Sequence, residues 1–357
     1  MSATSGGDVV PERAKVFPWG SNNPTRRQRL VLALCVAALS MAGVAWQDHL
    51  RGGHRTDFGM MWFGARAMLA GQNPYDLVGP GLQFDWVYPL LYPGTALVTG
   101  IPFAWLSENA ASVAFVGVSS LLFAYGITRD SWHLLPLLAS EAFRQSVMAA
   151  QWSLILTAAL FLPWLAALVA VKPQTGAAVL ASTTRPGLVA AGIGTLALLL
   201  VSLLLVPSWP MDWLALIQGP TEHMRPRILA PGGILVLLLL TRWRRPEAWL
   251  IIALACLPQT LASYSLLMLL TVASTFREAG VLVLVSTAGG YADPYLVPGQ
   301  PTADELYRLL ANVEVATAFL PATLLVMRRP NTGEGPAWLI AFRRLLPSSS
   351  MQRARNR

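Results

Sequence analysis

One carboxylate in this sequence is placed to work on an incoming hydroxyl: Asp57, in Thr56-Asp57-Phe58, opens an apolar helical stretch just after a membrane-length run. A carboxylate there can act as a general base. Asp or Thr at the same position is also the ordinary N-cap, bonding the free amides of a first turn, and the residues alone leave both readings open. Lys172, in Lys172-Pro173-Gln174, breaks an apolar run. Its ammonium can neutralise a lipid-linked phosphate while its stem lies in lipid, or it can snorkel and mark the end of a span. Gln151 lies inside the uncharged stretch 146–171, where an amide makes interhelical hydrogen bonds. His223, Arg225 and Arg227 share one loop and form a candidate grip on phosphate, with solvated loop charges as the alternative. Arg66, Asp76 and Asp85 also stand near apolar segments, where an ionisable group is costly and needs a reason.

Other chemistries find no support. His49, His54 and His133 lack metal-ligand spacing, and no phosphate-cradling or dinucleotide-binding glycine motif occurs, so neither metal nor cofactor is expected. Cys35 and Cys256 lie in apolar runs and read as buried thiols without a disulfide. The arginines are spread over membrane-flanking loops and not gathered on one face, which argues against a nucleic-acid partner.

The elements that must position these residues are set by the bilayer. The chain has 357 residues, 54% hydrophobic and 12% charged, with a mean hydropathy of +0.51, well outside the soluble range. Apolar runs recur at 30–47, 86–107, 109–128, 146–171, 186–218, 248–276 and 315–327. Several reach the ~20 residues that a membrane-crossing helix needs. The expected fold is an all-α polytopic transmembrane bundle of about ten spans. Arginines precede the first run, cluster at Arg242, Arg244 and Arg245, and follow the last run, so both termini are expected in the cytoplasm. Residues 1–28 and 329–357 are polar and basic and read as mobile cytoplasmic tails flanking a membrane domain over 29–328. The first span is expected to stay in the mature protein, since no cleavage pattern follows it.

The first extracytoplasmic loop, 47–85, is unusually long for a bundle connection, and long ordered loops tend to carry function. In it Phe58, Met61, Trp62, Ala65, Met68 and Leu69 recur at helical spacing, a stripe suited to the membrane interface. Gly71-Gln72-Asn73-Pro74-Tyr75-Asp76 then stops the helix and turns the chain, and Tyr88-Pro89 and Tyr92-Pro93 head the next apolar run.

The order of these features, with Thr56-Asp57-Phe58, the Asn-Pro-Tyr-Asp turn, the Tyr-Pro pairs, Gln151 and Lys172-Pro173, resembles glycosyltransferase family 87 over roughly residues 30–275. The Trp-Pro and Asp-Trp-Leu of 209–214 also look like an outer loop of that family. The resemblance implies a GT-C-type fold in a bacterial inner membrane, acting on its outer face. It implies a polyprenyl-phosphate sugar donor, typically mannose, a lipid or glycan acceptor, and Asp57 as the base. Arg66, Asn73, Tyr75, Asp76 and Gln151 would belong to the site, with Lys172, His223, Arg225 and Arg227 toward the donor phosphate. One departure is plain: the family usually separates its Gln from its Lys-Pro by two full spans, whereas Gln151 and Lys172 are 21 residues apart. Such an interval makes either one crossing or two half-helices, and these put Lys172 on opposite sides of the membrane. The shortening also raises a second reading, a non-catalytic membrane subunit held in a protein complex. A transporter finds less support, since no symmetric pair of interrupted helices is visible.

Overall fold

A computed structural model describes residues 23–51, 55–218, 225–259, 263–296 and 303–345. They are mostly helical, and their strands are limited to two short pairs: Val78–Gly79 with Phe84–Asp85, and Arg225–Pro226 with Pro258–Gln259. Four described helices are long and apolar enough to cross a bilayer: Arg26–Leu50, Glu108–Ile127, Arg185–Leu205 and Arg308–Met327. Shorter apolar helical stretches occupy Gly94–Phe103, Gly233–Arg242 and Pro246–Cys256. The apolar runs 86–107 and 248–276 are thus broken, each by its own prolines and turns.

Helix α1 (Arg26–Arg51) packs along α4 (Glu108–Ile127), with α2 (Asp57–Leu69) and α3 (Gly94–Val98) between them in sequence. A Cβ at Gly117 of α4 would meet Met41 Sδ at 2.6 Å, so glycine sets how closely the two approach. Helix α4 starts where Ser107 accepts a bond from the Ala110 amide and Glu108 sits in the first turn, both favourable at a helix N-terminus.

Most of the α2 stripe is covered by protein, while Leu69 at its end is exposed. Phe58, Met61, Ala65 and Met68 are buried, and the Phe58 ring stacks on Phe115 of α4 with centroids 4.1 Å apart. Gly100 makes room, since a Cβ there would lie 2.5 Å from the Met61 carbonyl oxygen. The stripe finds protein to cover it, and so packs as core.

Helix α5 (Glu141–Met148) is capped by Ser140, whose hydroxyl accepts from the Phe143 amide at 3.0 Å. After it come α6 (Ser153–Ala158), a 3₁₀ helix over Pro163–Val171, and α7 (Pro173–Ser182). The interval between Gln151 and Lys172 is therefore two half-helices. At ~1.5 Å per α-helical residue and ~2.0 Å per 3₁₀ residue, α6 spans about 9 Å and the return limb about 18 Å. Neither covers the ~30 Å of hydrocarbon. Gly176 of α7 and Gly194 of α8 (Arg185–Leu205) press on this limb, leaving no space for a Cβ against the carbonyls of Val169 and Ala167. Helix α8 buries only 11% of its apolar window in protein, so its other faces suit lipid.

The chain continues through α9 (Trp209–Ile217), α10 (Pro246–Cys256), α11 (Leu267–Leu270), α12 (Phe276–Leu296) and α13 (Ala303–Glu314). A π-helical turn, Val315–Phe319, joins α13 to α14 (Leu320–Met327). Arg227 is fully buried beside this turn, its Nε donating to Glu314 at 2.5 Å. Two sequence expectations are corrected. Residues 337–345, read as part of a mobile tail, form α15 (Ala337–Leu345), whose Trp338 donates to the Ala181 carbonyl at 3.0 Å and packs edge-on to Trp249. Cys35 and Cys256, read as buried, are free and exposed: an apolar run in a membrane bundle presents side chains to lipid as readily as to the core.

Candidate active site

The site is built where α2, α5, the turn after α5 and the head of α7 converge. Thr56, not Asp57, holds the cap position of α2 in extended conformation, and its hydroxyl is engaged with Ser112 at 2.7 Å. Asp57 is the first residue inside the helix; its amide donates to the Ala149 carbonyl at 3.1 Å. The Asp57 carboxylate is thus released from capping and turns to Gln151, whose Nε2 donates to Oδ2.

Gln151 is aimed by the end of α5. Ala150 adopts a left-handed conformation, φ 49°. The Ala150 amide donates to the Val147 carbonyl at 3.0 Å and the Gln151 amide to Ser146 at 2.9 Å. This is the paired-bond helix stop that usually takes glycine at the left-handed position. An alanine there costs about 1–2 kcal/mol, a strain of the kind that structures hold at working sites.

Gln151 is fully buried and its other atom is also occupied. Its Oε1 accepts from Lys172 Nζ at 3.1 Å and from the Tyr92 hydroxyl at 3.3 Å. Lys172 lies 4.6 Å from the Tyr264 ring centroid and 6.0 Å from that of Tyr92. The hairpin between α5 and α7 goes in and comes back, so Gln151 and Lys172 end on one side. Thr95 of α3 fixes the return by donating to the Ala170 carbonyl at 2.7 Å.

Asp57 is half-buried on the wall of a cavity of about 440 Å³. Loss of hydration pushes its carboxyl up from 3.8 to about 6, against the nearby Lys172 charge, which pulls it down. Tyr92 is pushed well above the usual phenol range by burial and then by Asp57 and Tyr264, so it is a neutral donor. A base titrating near 6 is mostly ionised at neutral pH yet still a useful proton acceptor.

The Asn-Pro-Tyr-Asp turn braces this group. The Asn73 side chain accepts from the Tyr75 amide at 3.2 Å and donates to Asp212 of α9 at 3.0 Å. The Tyr75 hydroxyl donates to the Tyr92 carbonyl at 2.9 Å, and Trp213 Nε1 donates to the Leu91 carbonyl at 3.0 Å. A Cβ at Gly94 would fall 2.6 Å from the Trp209 ring. The 209–214 segment and the first loop are thus locked together.

The remaining sequence candidates lie elsewhere. Arg66 is exposed, 5.0 Å from the Trp62 ring and 3.4 Å from the Ala104 carbonyl; Asp76 is exposed, and Asp85 accepts from the Gly81 amide at 2.8 Å. Arg227 is committed to Glu314. Arg225 pairs in strand register with Gln259, a few residues before Tyr264, and His223 lies outside the described residues. Sequence reasoning missed Tyr92 as a donor, Tyr264, Arg55 and Arg144; of these only the Tyr92-Pro93 pair carried a visible signal. Among the described residues no cluster of His, Cys, Asp or Glu is placed to hold a metal ion.

Comparison with protein-family models, with curated proteins and with solved structures gives no match.

Proposed function

We propose that the chain is a GT-C-type membrane glycosyltransferase of about ten crossings, with both termini in the cytoplasm and its site on the outer face of a bacterial inner membrane. It moves a sugar, mannose by the resemblance to glycosyltransferase family 87, from a polyprenyl-phosphate donor to a hydroxyl of a lipid or glycan acceptor.

The observation that carries this reading is Asp57: relieved of capping, oriented by Gln151, facing a cavity, and raised to about 6. In the reaction the acceptor oxygen bonds to the anomeric carbon as the bond from that carbon to the phosphate oxygen breaks. Asp57 takes the acceptor proton. The donor phosphate leaves as a monoester and gains one negative charge, and a single displacement inverts the anomeric centre. Tyr92 and Lys172 act through Gln151 to hold the base in place.

The short interval from Gln151 to Lys172 is the feature that favours a subunit without turnover, and its hairpin keeps the two residues bonded. That favours the enzyme. The test is product analysis: membranes containing the protein, given synthetic polyprenyl-phosphate mannose of known anomeric configuration, are expected to yield mannoside of the opposite configuration. Labelling that does not depend on the lipid donor, or retention of configuration, rejects the proposal.

A further inference from the structure

Of the cations expected to meet the donor phosphate, the described ones, Lys172, Arg225 and Arg227, do not line the cavity that Asp57 faces. Lys172 is buried behind Gln151, and Arg227 is paired with Glu314. Two other arginines do line it, Arg55 and Arg144, and Asp57 is the one carboxylate among the described lining residues. Each guanidinium is held in place by one part of its fork. Arg55 donates Nη1 to the Asp85 carbonyl at 2.9 Å and stacks 4.6 Å from the Phe84 ring, with Glu108 at 3.9 Å. Arg144 gives Nε and Nη2 to the two Glu141 oxygens at 2.7 and 2.5 Å.

Glu141 is itself fixed from three sides, accepting from Gln145 and from Tyr291 of α12, each at 2.9 Å, while its amide donates to Thr287 at 3.2 Å. Burial works to raise its carboxyl, but the bonds from Arg144, Gln145 and Tyr291 outweigh that and hold it below the usual range, so the brace stays charged. A guanidinium has five N–H donors. Both arginines keep donors beyond those bonds, and both side chains remain about half exposed, 48% and 54%. Met148, Trp86 and Tyr264 supply apolar wall beside them.

We propose that Arg55 and Arg144 are the residues that grip the phosphate of a lipid-linked ligand at the mouth of the Asp57 cavity. This rests on the glycosyltransferase reading. A planar fork suits phosphate oxygens, and the grip matters most as the phosphate gains its charge. One short helix, α5, then sets both halves of the reaction: Arg144 on its exposed side holds the leaving group, and its C-terminal stop aims Gln151 at the base. Lys172 becomes a positioning residue.

The test measures binding of farnesyl phosphate and of inorganic phosphate to the full chain in detergent by native mass spectrometry. Arg55→Gln and Arg144→Gln are each expected to weaken farnesyl phosphate on the order of tenfold, the worth of one charged hydrogen bond, with the melting temperature of Arg55→Gln near wild type. Since Arg144→Gln uncovers Glu141, Arg144→Lys and Arg55→Gln carry the test if that variant unfolds; the lysine variant is expected to bind at an intermediate level. Wild-type affinity in Arg55→Gln and Arg144→Lys overturns the proposal. So does inorganic phosphate binding as tightly as the lipid phosphate, which would make the site one for a free anion. If farnesyl phosphate binds as described but the wild type transfers no sugar, the phosphate site stands and the glycosyltransferase reading fails.

Discussion

Replacing Asp57 with Asn is expected to raise stability while removing activity, a pairing that a structural carboxylate would not give. The folded protein raises this carboxyl from 3.8 to about 6. Roughly 2 pKa units at about 1.36 kcal/mol each make about 3 kcal/mol, a ceiling because the half-buried group keeps some water. The direction follows from proton affinity. The folded carboxyl binds its proton more tightly than the unfolded one, so the ionised group destabilises the fold fully above pH 6, and this cost disappears as pH falls toward 3.8. Asn keeps an oxygen for Gln151 Nε2 and carries no charge. In detergent at pH 7.5, Asp57→Asn should therefore melt a few degrees above wild type, and the gap should close as the pH is lowered toward 4.5. A melting temperature below wild type at pH 7.5, or a gap independent of pH, would mean that ionised Asp57 does not destabilise the fold. Residues tuned for reaction are often the ones whose removal stabilises.

The same carboxyl sets the pH dependence: sugar transfer should fall as pH drops through about 6 and approach a tenfold loss per unit below it, since only the ionised base takes a proton; a flat profile between pH 5 and 7 would exclude Asp57 as the base. Gln151→Glu places a second acid against Asp57, so the acidic limb of the transfer profile should move to higher pH, whereas an unmoved limb would mean Gln151 does not act on the base. Ala150→Gly relieves the left-handed strain and should stabilise by about 1 kcal/mol, read as a higher melting temperature. Gly94→Ala drives a Cβ into the Trp209 ring at 2.6 Å and should cost about 1–3 kcal/mol, with transfer lost in step as α9 shifts off the first loop.

Much of the scaffold is legible in the sequence, because the bilayer imposes a length rule. Residues 30–47 and 109–128 read as spans and fold into α1 and α4, and Gly71 and Asn73-Pro74 end α2 where their backbone chemistry requires. Runs that are hydrophobic but broken defeat that rule. Residues 146–171 are uncharged throughout, yet Pro163 and the glycines pressing from α7 and α8 allow two short limbs in place of a crossing. Asp57 was visible as an N-cap or a base, and the fold removes the first of these, since Thr56 holds the cap position of α2 and the acid turns to Gln151. Gln151 and Lys172 were visible as polar residues in apolar sequence; that both bond one another depends on a left-handed Ala150, a conformation no residue type announced. Arg55 and Arg144 were hidden because a loop arginine and a helical arginine read as solvated charge, and the cavity joining them is made by segments far apart in the chain. The stripe on α2 misled in the other direction: Phe58, Met61, Ala65 and Met68 are buried, but so are Met60 and Ala67 off the stripe, while Leu69 on it is exposed, because α3 and α4 pack around the helix.

The most direct measurement is sugar transfer from synthetic polyprenyl-phosphate mannose in membranes holding equal amounts of wild-type and Asp57→Asn protein. Donor-dependent transfer is expected from the wild type, with a loss of at least a hundredfold in Asp57→Asn, a general base being worth about 10²–10⁴. Equal transfer by both proteins, with Asp57→Asn folded, would rule out Asp57 as the base.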